Sequence, residues 1–151
     1  MTTRTRKALA YITSGPDLLV FTHPFQPGAG VQVPAGTIEP GEEPRVAAER
    51  EAVEESGLRD LIFQRALGRS EYDMHSLDRD EIQERFFFHF TLSQARREGW
   101  RHYEAHSQTG GDPIALDFYW QSLRSSRIDL IAGQGEFLAE LRRLLRLEGG
   151  N

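Results

Sequence analysis

The chain has 151 residues, 38% hydrophobic and 27% charged, which suits one folded domain with a real core and leaves no room for two of ordinary size. It contains no cysteine, so disulfides, thiolate metal sites and thiol nucleophiles are excluded, and any bound metal must take oxygen or imidazole ligands. A formal net charge of −5 argues against a nonspecific nucleic-acid binder, which needs an excess of basic surface.

The polar start, Met1 to Lys7, runs into a short apolar stretch, Ala8 to Ile12, whose length suits a strand and not a signal peptide or membrane span. A cytoplasmic protein with no membrane attachment is expected. Lys7 to Thr13 and Leu18 to Thr22 are β-prone runs separated by the turn formers Ser14-Gly15-Pro16-Asp17, and they predict a hairpin. A loop from His23 to Gly30 follows. Val31-Gln32-Val33 then alternates as a half-buried strand would, stopping at Pro34.

Glu39-Pro40-Gly41 predicts a turn, and Glu42, Glu43 and Pro44 mark a helix start, with acids near the positive helix end and proline where its missing N–H costs nothing. The helix is expected to end at Ser56 with Gly57 as its cap. Leu61 to Tyr72 and Glu84 to Leu92 read as strands joined by the polar Asp73 to Asp80. Ser93 to Gly111 has no clear pattern and is expected to include a loop, Ile114 to Leu123 reads as a strand, and Gly135 to Leu147 as a helix from its apolar spacing. Strands outnumber helices without alternating regularly with them, so the expected class is α+β, a mixed sheet with helices on its faces.

Chemistry concentrates on the first helix. Glu51, Glu54 and Glu55 fall within an arc of roughly 100° at helical spacing. Such like charges weaken an isolated helix by roughly 0.2–0.5 kcal/mol per pair and call for an opposing charge. An acidic helix face is most often simply solvated. The alternative is a hard divalent cation, which prefers oxygen ligands, is held by a few carboxylates plus substrate phosphates, and helps both to clamp phosphoryl oxygens and to activate water.

The wider context selects between these readings. Gly36, Glu42 after five residues, and then, after seven more, Arg50-Glu51-Ala52-Val53-Glu54-Glu55-Ser56-Gly57-Leu58 resemble the Nudix box, the signature of the Nudix hydrolases. Every polar and glycine position is met at the right spacing. Ala52 is the one departure, small for a bulky aliphatic position, and it bears on packing under the helix. The resemblance implies the family's α/β/α sandwich and a MutT-like pyrophosphohydrolase that cleaves a nucleoside diphosphate linked to another moiety X, a small-molecule nucleotide derivative.

It further implies Mg²⁺ or Mn²⁺, with more than one ion when substrate is bound, held by Glu51, Glu54, Glu55 and the backbone carbonyl of Ala35. Arg50 would orient a carboxylate, with Glu42 as its partner and Gly36 as the box glycine beside them. The general base stays open: Glu54 or Glu55 in the box, against Glu81, Glu84, Glu98, Glu104 and Asp112. A Nudix-fold module that binds a nucleotide without turnover is the rival reading, although such modules tend to lose box carboxylates and all are present here. Monomer and homodimer are both open.

Weaker signals lie elsewhere. Trp100 and Tyr103 are candidates to stack on a base and Arg101 to hold a phosphate, against a reading in which the aromatics anchor a loop. The charged run Asp78 to Arg85 reads as a solvated turn. Phe86 and Phe88 share a strand face and are expected in the core, and Phe118-Tyr119-Trp120 are expected beneath the second helix. Five histidines, at 23, 75, 89, 102 and 106, are scattered, and no His-x₃-His pair falls on an evident helix, which argues against a zinc site.

Overall fold

The computed structural model describes residues 1–104, 111–125 and 127–147. The elements are β1 (Thr3–Ser14), β2 (Asp17–Thr22), β3 (Ala35–Thr37), α1 (Pro44–Ser56), β4 (Leu61–Asp73), β5 (Glu81–Leu92), β6 (Trp100–Glu104), β7 (Ile114–Ser122) and α2 (Leu138–Leu144). Seven strands form one sheet in the order β4-β5-β1-β2-β7-β6, with β3 beside β1. Among the named strands of the described residues, β1 pairs with β5 in parallel and the other strand pairings are antiparallel, so the sheet is mixed, as expected.

Alternation along β1 makes two cores. Ala8, Ala10 and Ile12 face one side, where Ala47, Ala48 and Ala52 of α1 meet Phe88, Phe90, Phe21 and Phe118. Leu9 and Tyr11 face the other, packed with Phe87, Val20, Leu138 and Leu141 of α2. The result is helix, sheet, helix. Small residues on both α1 and β1 let the helix lie close to the sheet, which explains Ala52: it is fully buried, and rings from β5 and β7 supply the volume that a larger side chain would.

The β1–β2 hairpin turns at Gly15, where φ is +57°, a conformation that suits glycine. Pro34 does not end a strand but precedes one. Its carbonyl accepts from the Ala10 amide at 2.9 Å, and β3 runs from Ala35 to Thr37, while Val31 and Gln32 make only isolated bridges to Leu130 and Phe21. Proline lacks a donor but keeps an acceptor, so it can open a strand whose first N–H is not needed.

Three further expectations are revised. β5 begins at Glu81, inside the run read as a solvated turn, and Glu81, Gln83 and Arg85 are buried because strand alternation turns them inward. Part of the expected loop is a strand, β6, paired with β7 from Trp100↔Phe118 to Glu104↔Ile114; residues 105–110, with His106, lie outside the described residues. Phe118 and Trp120 pack under α1 and not under α2, since even-numbered positions of β7 face that side. Among the described residues no helix is long and apolar enough to cross a membrane.

Candidate active site

The first turn of α1 is prepared by Glu39-Pro40-Gly41-Glu42. The Glu42 amide donates to the Glu39 carbonyl at 3.0 Å, Gly41 takes φ +78°, and the Glu42 carboxylate accepts from the Glu39 amide at 3.0 Å. Pro44 is the first helical residue. These contacts turn Glu42 back along the helix toward Arg50, two turns on.

Arg50 gathers the acids around it. Its Nε and Nη2 donate to Glu42 at 2.8 and 3.0 Å, Nη1 donates to Glu51 at 2.7 Å, and Nη2 reaches the Thr37 carbonyl at 3.1 Å. Glu54 lies 3.5 Å from Nη1. The fork therefore binds two carboxylates and the β3 backbone at once, which a lysine cannot do. The bonds from Arg50 hold the Glu42 carboxyl down at about 2 and raise the guanidinium above its ordinary value.

Glu51 and Glu55 point at β3. The Glu51 carboxylate lies against Gly36 so closely that a Cβ there would sit 2.0 Å from Cδ of Glu51. Glu55 is 8% exposed and accepts from the Ala35 amide at 2.8 Å. Burial pushes its carboxyl well above the ordinary range, and Glu104 at the end of β6 adds to the rise. Burial raises Glu51 too, with Arg50 opposing. Two desolvated carboxylates thus face Ala35 and Gly36, one with a cation beside it and one with only an amide.

The donor set suits a hard divalent ion. It offers carboxylate oxygens on one helix face, a buried acid without a cation, and a glycine that lets the Glu51 carboxylate lie against β3. Among the described residues no three His, Asp or Glu side chains converge closely enough to hold a metal by themselves, and Arg50 Nη1 stands 2.7 Å from Glu51 and 3.5 Å from Glu54. Mg²⁺ commonly needs only one or two carboxylates and completes its shell with water and substrate phosphates, so the arrangement is compatible with that ion.

The remaining sequence candidates are dispersed. Glu81 binds Thr5 at 2.5 Å on the α2 side of the sheet, Glu84 is held by Arg6 and Arg69, and Glu98 pairs with Arg96 at 3.1 Å. Asp112 stands just before β7. Of the acids outside the box, Glu104 is the one that raises the Glu55 carboxyl.

The trio on β6 divides by strand alternation. Trp100 stacks on Phe118 with ring centroids 5.3 Å apart, and its Nε1 donates to the Ser56 carbonyl at 2.9 Å, so it closes the end of α1. Arg101 is engaged by Asp117 at 2.7 Å and lies over the Phe25 ring. Tyr103 is 56% exposed. His102 was not singled out as a site residue, yet its Nε2 lies 3.1 Å from the Glu54 carbonyl, and a Cβ on Gly57 would come within 2.9 Å of its ring. With its αL cap at φ +79°, Gly57 therefore serves both helix termination and the approach of β6.

A cavity of about 330 Å³ adjoins the carboxylates on the α2 side of the sheet and includes Ala35 and Gly36 in its wall. Strand register across β1, β3 and β5 could not be read from local sequence, so the chain order alone gave no sign of it.

Comparison with known proteins agrees with this architecture. A family model described as NUDIX domain matches residues 3–138. No curated protein matches the chain. Among solved structures, it is similar to the E. coli ORF135 protein, with 18% identity, TM-score 0.64, and 99% of this chain and 96% of that one covered. A NUDIX-family hydrolase from Clostridium perfringens gives 17% identity, TM-score 0.62, and coverage of 96% and 98%. A MutT NUDIX hydrolase from Burkholderia pseudomallei gives 17%, 0.59, and 92% and 98%. At such identities these likenesses concern the fold.

Proposed function

Because the chain belongs to the Nudix family of hydrolases, we propose that it cleaves the phosphoric anhydride of a nucleoside diphosphate linked to another group X, in the cytoplasm, as a monomer or homodimer, with Mg²⁺ or Mn²⁺. The observation that carries this is the placement of Glu51 and Glu55 against Gly36 and Ala35. Glu51 and Glu55, with Glu54 and the Ala35 carbonyl, would hold the metal. A divalent ion there supplies charge neutralisation for the anhydride oxygens and eases loss of a proton from water.

The protein's own groups do the rest. Arg50 fixes the Glu51 carboxylate by a charge-assisted bond and is itself fixed by Glu42, so orientation is set before substrate arrives. Gly36 leaves room for the Glu51 carboxylate to lie against the β3 backbone. Glu55 has raised proton affinity, which suits a group that accepts a proton from attacking water. Glu104 stands near enough to tune that affinity.

The test is a panel of nucleoside triphosphates, nucleotide sugars and dinucleoside polyphosphates with Mg²⁺ or Mn²⁺, read by phosphate release after a coupled phosphatase. Turnover is expected with at least one class, abolished by EDTA, and reduced at least about a hundredfold in Glu51→Gln. Activity of that variant within about threefold of the parent would remove Glu51 from the metal site.

A further inference from the structure

Arg85 on β5 is a buried cation whose near neighbours carry no charge. It is 3% exposed. Among the described residues its Nε meets Gln83 Oε1 at 3.0 Å, its Nη1 the Ala132 carbonyl at 2.6 Å and its Nη2 the Met74 sulfur at 3.7 Å, with the Tyr72 ring 4.3 Å away. Burial pulls the guanidinium below its ordinary value; the charges of Glu136 and Glu81 oppose this, Glu81 being linked to Arg85 through Gln83, but among the described residues neither forms an ion pair with it. A buried charge without a counter-ion is costly unless a ligand supplies one.

Arg85 lines the cavity beside the carboxylate site, and Lys7 and Arg79 line it too. Arg79 is paired with Glu81 at 2.6 Å; Lys7 donates to Thr37 Oγ1 at 2.6 Å and is acted on electrostatically by Glu51 as well as Glu81. Lys7 therefore connects the cavity to the metal-binding face. Three cations around one recess are notable in a chain of net charge −5. None of the cavity-lining residues is aromatic, so no ring is offered there for a base to stack on, while the guanidinium fork matches the geometry of an oxyanion.

We propose that this cavity is an oxyanion subsite, with Arg85 and Lys7 binding a second anionic group, phosphate or carboxylate, at the X end of the anhydride substrate. The identification of that anion as part of the substrate rests on the hydrolysis proposed above. The subsite itself does not. Substrates whose X group ends in a phosphate or carboxylate are then preferred over those with a neutral sugar.

The experiment separates the two. Metal-free protein in EDTA, at constant ionic strength, is titrated by calorimetry with glucose 6-phosphate, glucuronate and glucose. At least one of the two anions is expected to bind while glucose does not, and the anion that binds identifies the source of charge. Arg85→Gln and Lys7→Gln should each raise its Kd tenfold or more, and Arg85→Lys should raise it less than Arg85→Gln. Lys7 is only half-buried, so that variant keeps the test valid if Arg85→Gln does not fold. Binding of neither anion, equal binding of glucose, or an Arg85→Gln protein that melts earlier yet binds the anion unchanged would overturn the subsite and assign Arg85 to holding the Ala132 turn. Loss of turnover in Glu51→Gln bears only on the hydrolytic reading.

Discussion

Glu55 Oε1 accepts the Ala35 amide at 2.8 Å and so ties the last turn of α1 to the first residue of β3. The bond joins the carboxylate face of the helix to the strand that carries Gly36, and it does so with an acid removed from water. Such a group has a marked preference for its protonated form in the folded state.

Stability of the metal-free protein should record that preference. The Glu55 carboxyl is raised well above the ordinary 4.5, so the folded state binds its proton more tightly than the unfolded one. This contribution is fully present below pH 4.5 and is lost as pH rises through the folded value. In EDTA the thermal midpoint should therefore fall between pH 5 and pH 8, by about 2–4 °C for each kcal/mol lost, and Glu55→Gln should flatten the fall. Equal slopes in the two proteins would show that Glu55 is not the group responsible.

Gly36→Ala tests the close approach of helix and strand. A Cβ would land 2.0 Å from Glu51 Cδ, so the carboxylate must move by an ångström or more, and displacement of a catalytic group on that scale costs about a hundredfold in rate. The expected result is a fall of that order in kcat/KM with α1 still folded by far-UV circular dichroism. Retention of full activity would mean that Glu51 has no fixed position to lose.

Arg50→Lys keeps the charge and discards the fork. A lysine cannot bind Glu42 through two donors while reaching Glu51 and the Thr37 carbonyl. Loss of such an orienting partner typically costs about 10–100-fold in activity. The fall should appear in kcat and in the Mg²⁺ concentration for half-maximal rate. A change in substrate KM alone would place Arg50 on the substrate.

The extent to which this was legible in the sequence follows from how local each contact is. Helix α1, its Pro44 start and Gly57 cap, and the Arg50–Glu42 spacing are set within some twenty consecutive residues, and local pattern found them. The hairpin at Gly15 is equally local. β6 is not legible in the sequence because Trp100–Glu104 is a short edge strand whose partner β7 supplies the regularity. Pro34 reads as a strand end because it lacks a donor, whereas its carbonyl still accepts from the Ala10 amide. Arg85 was hidden in a charged run, and only pairing with β1 turns it inward. The inward rows of a sheet require knowledge of its neighbours, which no window along the chain contains.

Trp100 distinguishes a structural aromatic from a substrate platform. Trp100→Phe keeps a ring to stack on Phe118 but loses the donor to the Ser56 carbonyl, a loss worth about 0.5–1.5 kcal/mol. The thermal midpoint should drop accordingly, with KM for the best nucleotide within twofold of the parent. A large rise in KM without loss of stability would return Trp100 to the substrate.

Glu104→Gln separates the two acids that stand near each other at the ends of α1 and β6. If Glu55 takes the proton, removing the Glu104 charge removes a cause of its raised carboxyl; the acid limb of the kcat/KM profile then shifts to lower pH, with the plateau rate little changed. If Glu104 takes the proton, the plateau itself falls by about 10²–10⁴-fold and no shift of the limb restores it. Each outcome names one carboxylate, and the companion variant Glu55→Gln should give the complementary result. A profile unchanged in both limb and plateau would sever the electrostatic link between β6 and the helix, and with it the place of Glu104 in the site.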